Sequence, residues 1–223
     1  MKNEFLYETH MHTAESSACG HGSAAQHVES YIAKGYTGII VTDHFINGNS
    51  SCPRHLPWEA KMHHVVAGYI AAKKAGDKAG LDVFLGWEFS YHGADFLTYG
   101  LGLDFLLANP DVDRLTPPKY SELVRKSGGY IAQAHPFRVA SYIRGKAVAA
   151  PEILDGMEIR NASDNADTNK RAREYAEQHN IPIQAGSDSH GVTNNLSGIA
   201  LKTRASSIHD IIAAIKAREV EII

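Results

Sequence analysis

Residues 37–44 read TGIIVTDH, a short apolar run that stops on two side chains able to bind metal, Asp43 and His44. Its β-branched centre is the pattern of a strand covered on both faces, as in a parallel sheet. The same construction recurs along the chain. The segment 5–12, FLYETHMH, ends on His10 and His12, and 81–89, LDVFLGWEF, carries Glu88. Residues 130–135, YIAQAH, end on His135, and 181–190, IPIQAGSDSH, end on Asp188 and His190. Further strands are expected over 95–101, 156–160 and 197–201. Helical patterns lie between them over 23–32, 58–79, 119–126, 168–179 and 207–218, with Ser23 placed as an N-cap and Gly35 as a stop. Strand and helix alternating over this length favours a parallel sheet, and the chemistry selects a barrel. In barrels the C-terminal ends of parallel strands converge on one face, so ligands scattered in sequence meet in space.

The rest of the composition narrows the class. With 223 residues, 43% of them hydrophobic and 21% charged, the chain can build one sizeable soluble domain spanning 1–223, and no linker or repeat divides it. A net charge of −3 supplies no basic field, so stable nucleic-acid binding is not expected. The start, MKNEFLYETHMHT, lacks the apolar core of a signal peptide, and no run is long enough to cross a membrane. Two cysteines, Cys19 and Cys52, are too few for a disulfide framework, which points to the cytoplasm. Thirteen histidines are the unusual count, and their positions need a reason.

Side chains alternate along a strand, so His10-x-His12 places two imidazoles on one face, and Asp188-x-His190 repeats the geometry. Imidazole and carboxylate together suit zinc, manganese or iron. His27, His179 and His209 fall on expected helices and read as solvated or half-buried. His63 and His64 face about 100° apart on a helix and cannot serve one site. His55 lies in the polar loop 47–57, which is placed to overhang a site. Cys19 reads as a small loop residue, since no second cysteine pair accompanies it. Asp43 reads equally as a support for a ligand or as a cap for the following turn.

HMHT, CGHGS, VTDH, GWEF, AHP and GSDSHG occur in the order found in the PHP (polymerase and histidinol phosphatase) family, and the chain resembles that family from His10 to Gly191. The resemblance implies a distorted (β/α)7 TIM-like barrel holding two to three divalent metals (zinc, manganese or iron). By the same resemblance His10, His12, Glu88 and Asp188 hold one metal. Glu88 bridges to a second that His135 also binds, and His21, His44 and His190 hold a third. One position departs: where many relatives carry a histidine in a segment like GHLLAYGL, this chain has ADFLTYGL. That makes Asp95 the expected ligand, with His92 competing.

The implied activity is hydrolysis of a small phosphoester, histidinol phosphate or a nucleotide-type compound, by metal-activated hydroxide, with Glu88, Asp188 and His190 as the catalytic set. Arg138, Arg160 and Asn161 are the candidate phosphate partners, both guanidinium groups being expected to point toward the metal face. The alternatives are a PHP-type protein-tyrosine phosphatase and a noncatalytic, regulatory metal-binding domain. Hydrolysis of C–N bonds is a further option, disfavoured because no lysine stands at a strand end.

Overall fold

The computed structural model describes residues 4–141, 143 and 148–223. The elements run β1 (Phe5–Met11), α1 (Ala24–Ala33), β2 (Gly38–Val41), α2 (Trp58–Val65), α3 (Ala67–Ala79), β3 (Asp82–Tyr91), β4 (Ala94–Tyr99), α4 (Leu103–Ala108), α5 (Pro117–Lys126), β5 (Tyr130–Ala134), β6 (Gly156–Asn161), α6 (Ala166–Gln178), β7 (Ile183–Gly186), β8 (Ile199–Leu201), α7 (Ile208–Lys216) and β9 (Glu221–Ile222). The strands form one sheet in the order β7-β6-β5-β4-β3-β2-β1-β8-β9.

Pairing is parallel between β1 and β2, β2 and β3, β5 and β6, and β6 and β7. β4 runs antiparallel to both neighbours, because it returns from β3 through a tight turn at His92 and Gly93, both at positive φ. The strand at 94–99 is therefore the hairpin partner of β3, not a further βα repeat. A sequence pattern fixes where a strand lies but not which way it runs.

The sheet nearly closes on itself as a single mixed α/β barrel. β8 covers only the start of β1, from Phe5 to Tyr7. Beyond that point β1 meets the end of β7: Thr9 Oγ1 donates to Ala185 O (2.8 Å), Asp188 N to His10 O (2.8 Å) and His12 N to Ser189 O (2.9 Å). Gly186 makes this seam possible, since a Cβ there would lie 2.4 Å from His10 Cβ. The barrel interior below the seam is filled. Tyr99 of β4 reaches across to donate to Thr9 O (2.7 Å), and Gln184 of β7 links the Tyr99 and Tyr130 hydroxyls at 2.8 Å each. The two tyrosine rings stack 5.5 Å apart, so the interior beneath the strand ends is a packed floor and not a pore.

Outside the sheet, α1 and α3 cover one side with Val28, Tyr31 and Ala72, and α7 adds Ile211 and Ile215 near β8. Ser23 caps α1 through a full capping box with Gln26. The helix expected over 58–79 is instead α2 and α3, broken at Val66. The cause is a side chain inserted into the helical ladder. Ser16 Oγ donates to His64 O (2.7 Å) and accepts from Gly68 N (3.1 Å), taking the place of the direct bond between those groups. No helix of the described residues is long and apolar enough to cross a membrane.

Candidate metal centre

β1, β3, β4 and β5, with the loops after β2 and β7, bring His10, His12, His44, Glu88, Asp95, His135, Asp188 and His190 to one end of the barrel. Most of them are fully buried: His10 and His12 are 0% exposed, Glu88 1% and Asp188 2%. His10 Nε2 and His12 Nε2 face each other at 3.2 Å. Asp188 Oδ1 lies 3.5 and 3.1 Å from them, and Glu88 offers Oε1 at 3.3 Å and Oε2 at 3.6 Å. A tetrahedral metal with bonds of 2.0–2.1 Å has donor-to-donor edges of about 3.3 Å, so this spacing is what a shared cation needs. His44 Nδ1 and Glu88 Oε2 are buried 2.7 Å apart, yet neither makes a hydrogen bond of acceptable geometry. A buried polar atom without a partner is costly, and a metal would satisfy both.

Four overlapping groups of potential ligands result: His10, His12 and Glu88; His10, His135 and Asp188; Glu88, Asp95 and His135; and His12, His44 and His190. Asp95 is brought to the centre, at 3.9 Å from His135 Nε2, whereas His92 is exposed in the β3–β4 turn beside Tyr91. His21 joins none of these groups among the described residues. It is exposed, with Nδ1 3.2 Å from the Cys19 carbonyl and its ring packed over Gly191. Cys19 instead lines the site cavity with His44 and His190. Burial pushes that thiol up, but the two imidazoles outweigh burial and bring it down to about 6.

The electrostatics follow from putting carboxylates and imidazoles together out of water. Burial by itself would lower His10, but Glu158, Asp188 and Glu88 raise it well above the usual value. His44 is likewise raised, chiefly by Glu88 against its burial. Glu88 and Asp188 are held well below the carboxylate range despite burial, Glu88 by His44 and His10, and Asp188 by His10 and His12. Asp95 goes the other way, raised by burial and by Glu88. His12, deep among cations, is lowered to about 3 by burial and by His44. His135 and Asp188 hold positive φ values of 29° and 52°, backbone strain at two ligand positions.

Supporting residues complete the site. Glu158 of β6 accepts from His10 Nδ1 (3.0 Å), His135 N (2.9 Å) and Asn161 Nδ2 (2.9 Å), fixing the orientation of His10. Sequence reading missed it because Glu158 sits mid-strand in GMEIRN, not at the strand end where ligands were sought. Asp43 both holds the loop and supports a ligand. It accepts from Thr13 N, Thr13 Oγ1 and Ser17 Oγ, and Ser17 Oγ stands 3.3 Å from His12 Nδ1. His27 is buried, 1% exposed, against the reading of a solvated or half-buried helix residue.

Arg138 lines the cavity, its guanidinium fixed by Asp164 Oδ1 (2.8 Å) and Asp188 Oδ2 (2.7 Å). Arg160 does not face the site. The pairing of β6 with β7 shifts register between Glu158 and Arg160, and this bulge turns Arg160 out to solvent and Asn161 inward. Asn161 then donates to Glu158 and Asp188, behind the ligands and away from the cavity lining. Cavity walls are completed by Gly48 and Asn49 of the 47–57 loop, with Ser90 and Gly93, while His55 of that loop is exposed outside them.

Comparison with known proteins bears on the fold. The PHP-associated family model PHP_C matches residues 166–220. No curated protein matches the chain. Among solved structures, a two-domain protein of Bacteroides vulgatus containing a predicted PHP-like metal-dependent phosphoesterase is similar at 17% identity and a TM-score of 0.69. That match covers 99% of this chain but only 65% of the other. PsfC from Pseudomonas syringae is similar at 18% identity and a TM-score of 0.66, over 95% of this chain and 88% of that one. The lesion-specific endonuclease PfuEndoQ of Pyrococcus furiosus is similar at 15% identity and a TM-score of 0.61, over 98% of this chain and 57% of that one. At these identities the likeness carries the fold alone. The fold is that of PHP-like neighbours, and residues 166–220 resemble the PHP-associated family.

Proposed function

We propose that the chain is a metal-dependent phosphoesterase acting on a small phosphorylated metabolite, histidinol phosphate or a nucleotide-type phosphoester. The observation that carries this reading is the convergence of His10, His12, Glu88 and Asp188 at metal-ligand spacing, beside a cavity that also presents Arg138. Divalent metals held there would acidify water and neutralise charge on phosphoryl oxygens.

The chain's own groups do the rest. Glu88 and Asp95 with His135 form a second donor set, with Glu88 Oε1 3.1 Å from His135 Nε2 and its two oxygens free to serve two metals. Arg138 offers a planar fork of five donors, of which Asp164 and Asp188 fix the direction, so the phosphate meets a cation that is already oriented. His190 stands partly exposed on the cavity wall with Nδ1 2.9 Å from the Asp188 carbonyl. The cavity of about 630 Å³ suits a metabolite, which favours a small substrate over a protein phosphotyrosine. Among the described residues, no lysine lines it. Phosphate release from a panel of phosphomonoesters and dinucleotides, with metal content measured in the same preparations, tests the reading. Full metal loading with no phosphate released from any of them would refute it.

A further inference from the structure

The metal donors and Arg138 account for the part of the cavity that meets a phosphate, so the rest of the lining meets the alcohol that leaves. Among the described residues that remainder is Cys19, Gly48, Asn49, Ser90 and Gly93. It contains no carboxylate: the acidic side chains on the cavity wall, Glu88, Asp95 and Asp188, all belong to the metal donor groups. Residues 1–3, 142 and 144–147, outside the described set, include no aspartate or glutamate either. Asp164, behind the wall, is committed to Arg138. An ammonium on the leaving group would therefore find no counter-ion, and it would share the cavity with Arg138 and the metals. Like charges juxtaposed in a binding site are strongly disfavoured.

What the wall offers instead is neutral and held in place. Asn47 ties the 47–57 loop to the end of β3, its Nδ2 donating to Ser90 O (2.7 Å) and its Oδ1 accepting from Ser90 N (3.3 Å). Ala18 N donates to Asn49 O (2.8 Å) and Ser51 N to Ser16 O (2.9 Å), which fixes the backbone around Asn49. The Asn49 side chain is exposed on that backbone, and no group among the described residues holds its carboxamide. A carboxamide both donates and accepts, which suits a hydroxyl. Gly48 leaves room at the neighbouring Ser90 hydroxyl, since a Cβ at 48 would lie 2.6 Å from Ser90 Oγ.

We propose that Asn49, with Ser90, selects a neutral, hydroxyl-bearing leaving group, and that the cavity rejects a cationic one. The inference rests on the phosphoesterase reading above and narrows it. A nucleotide or a polyol phosphate fits this wall, whereas histidinol phosphate, whose leaving group carries an ammonium, does not.

Two matched pairs of compounds test this. Hydroxyethyl phosphate and phosphoethanolamine differ by a hydroxyl in place of an ammonium, and the first should have the higher kcat/KM by about tenfold or more. The corresponding hydroxyethyl and aminoethyl phosphonates release no phosphate by ester hydrolysis, so calorimetry with metal-loaded protein reads the same preference as binding. Asn49→Asp should level or reverse the preference in both assays with metal content at the wild-type value. Asn49→Ala should lower kcat/KM for hydroxyethyl phosphate and change it little for phosphoethanolamine. Glycerol phosphate and uridine monophosphate separate a free polyol from a nucleoside, and at least one should be turned over faster than phosphoethanolamine. Wild-type protein with no hydroxyl preference in either assay, or an unchanged ratio in Asn49→Asp, overturns the proposal. A hydroxyl preference in phosphonate binding, with no phosphate released from any ester at full metal loading, would instead overturn the phosphoesterase reading.

Discussion

Glu158 shows how much of the centre depends on a residue that never lines the cavity. It holds His10 Nδ1 and the His135 amide at once, so removing its carboxylate frees one ligand ring and loosens the backbone of another. Glu158→Ala should weaken metal affinity about 10- to 100-fold while the circular dichroism spectrum stays unchanged. Competition with a chromophoric chelator reads the affinity directly, and wild-type affinity would remove Glu158 from its supporting role. The two arginines make a second pair of expectations. Arg138→Ala should raise KM, because a fixed guanidinium leaves the cavity wall, whereas Arg160→Ala should leave KM and metal content unchanged. A raised KM in Arg160→Ala would contradict the outward position that the bulge gives it. At this scale the sequence was legible wherever a residue closed a strand: His10, His12, His44, Glu88, His135, Asp188 and His190 all reach the centre. Its reading of Cys19 as a small loop residue did not place that side chain on the cavity wall, since motif order carries no information on which member of a Cys-Gly-His run turns inward.

Among elements, each strand of the parallel set was visible from its apolar run, and α1 from its N-cap at Ser23. Three features were not. The reversal of β4 depends on the short turn at His92–Gly93, and the break between α2 and α3 depends on Ser16, distant in sequence. The bulge in β6 depends on pairing with β7. The last two are each decided by a partner outside the local segment, which periodicity cannot see. The close approach of β7 to β1 gives the element-scale test. Gly186→Ala would press a methyl carbon onto His10 Cβ and toward Glu158 Oε1, 2.9 Å away. It should destabilise the protein by about 1–3 kcal/mol, read as a lowered Tm, and reduce metal content with it. A Tm equal to wild type would show that β1 and β7 separate more easily than their contacts imply.

For the whole molecule, the buried charges link folding to pH and to metal. His10 and His44, both raised above 6.5, stabilise the metal-free chain fully below that value, and the contribution is lost as pH rises through their raised values. Glu88 and Asp188, held below 4.5 and 3.8, contribute above those values and lose it only as pH falls through their depressed ones. Through these four groups the metal-free protein gains most in mildly acid solution and loses it toward alkaline pH, while His12, lowered to about 3, works the other way below 6.5. Metals need neutral imidazoles, so they must displace those protons, and their stabilisation grows as pH rises. The Tm difference between metal-loaded and chelator-treated protein should widen from about pH 5 to about pH 8. A difference that narrows over that range would contradict the charge assignment.

The seam between β1 and β7 leads to one more consequence. Its bonds are made by the backbones of His10, His12 and Asp188, whose side chains converge at metal-ligand spacing. A cation gripping those side chains is thus a clasp across the last gap in the wall, and local opening of the wall and release of the cation become one event. Amide hydrogens of His12 and Asp188 should exchange slowly in loaded protein and speed up sharply on chelation, while those of Ile40 and Val41 in β2 change little. Equal exchange in both states would mean that the wall stays shut without its clasp.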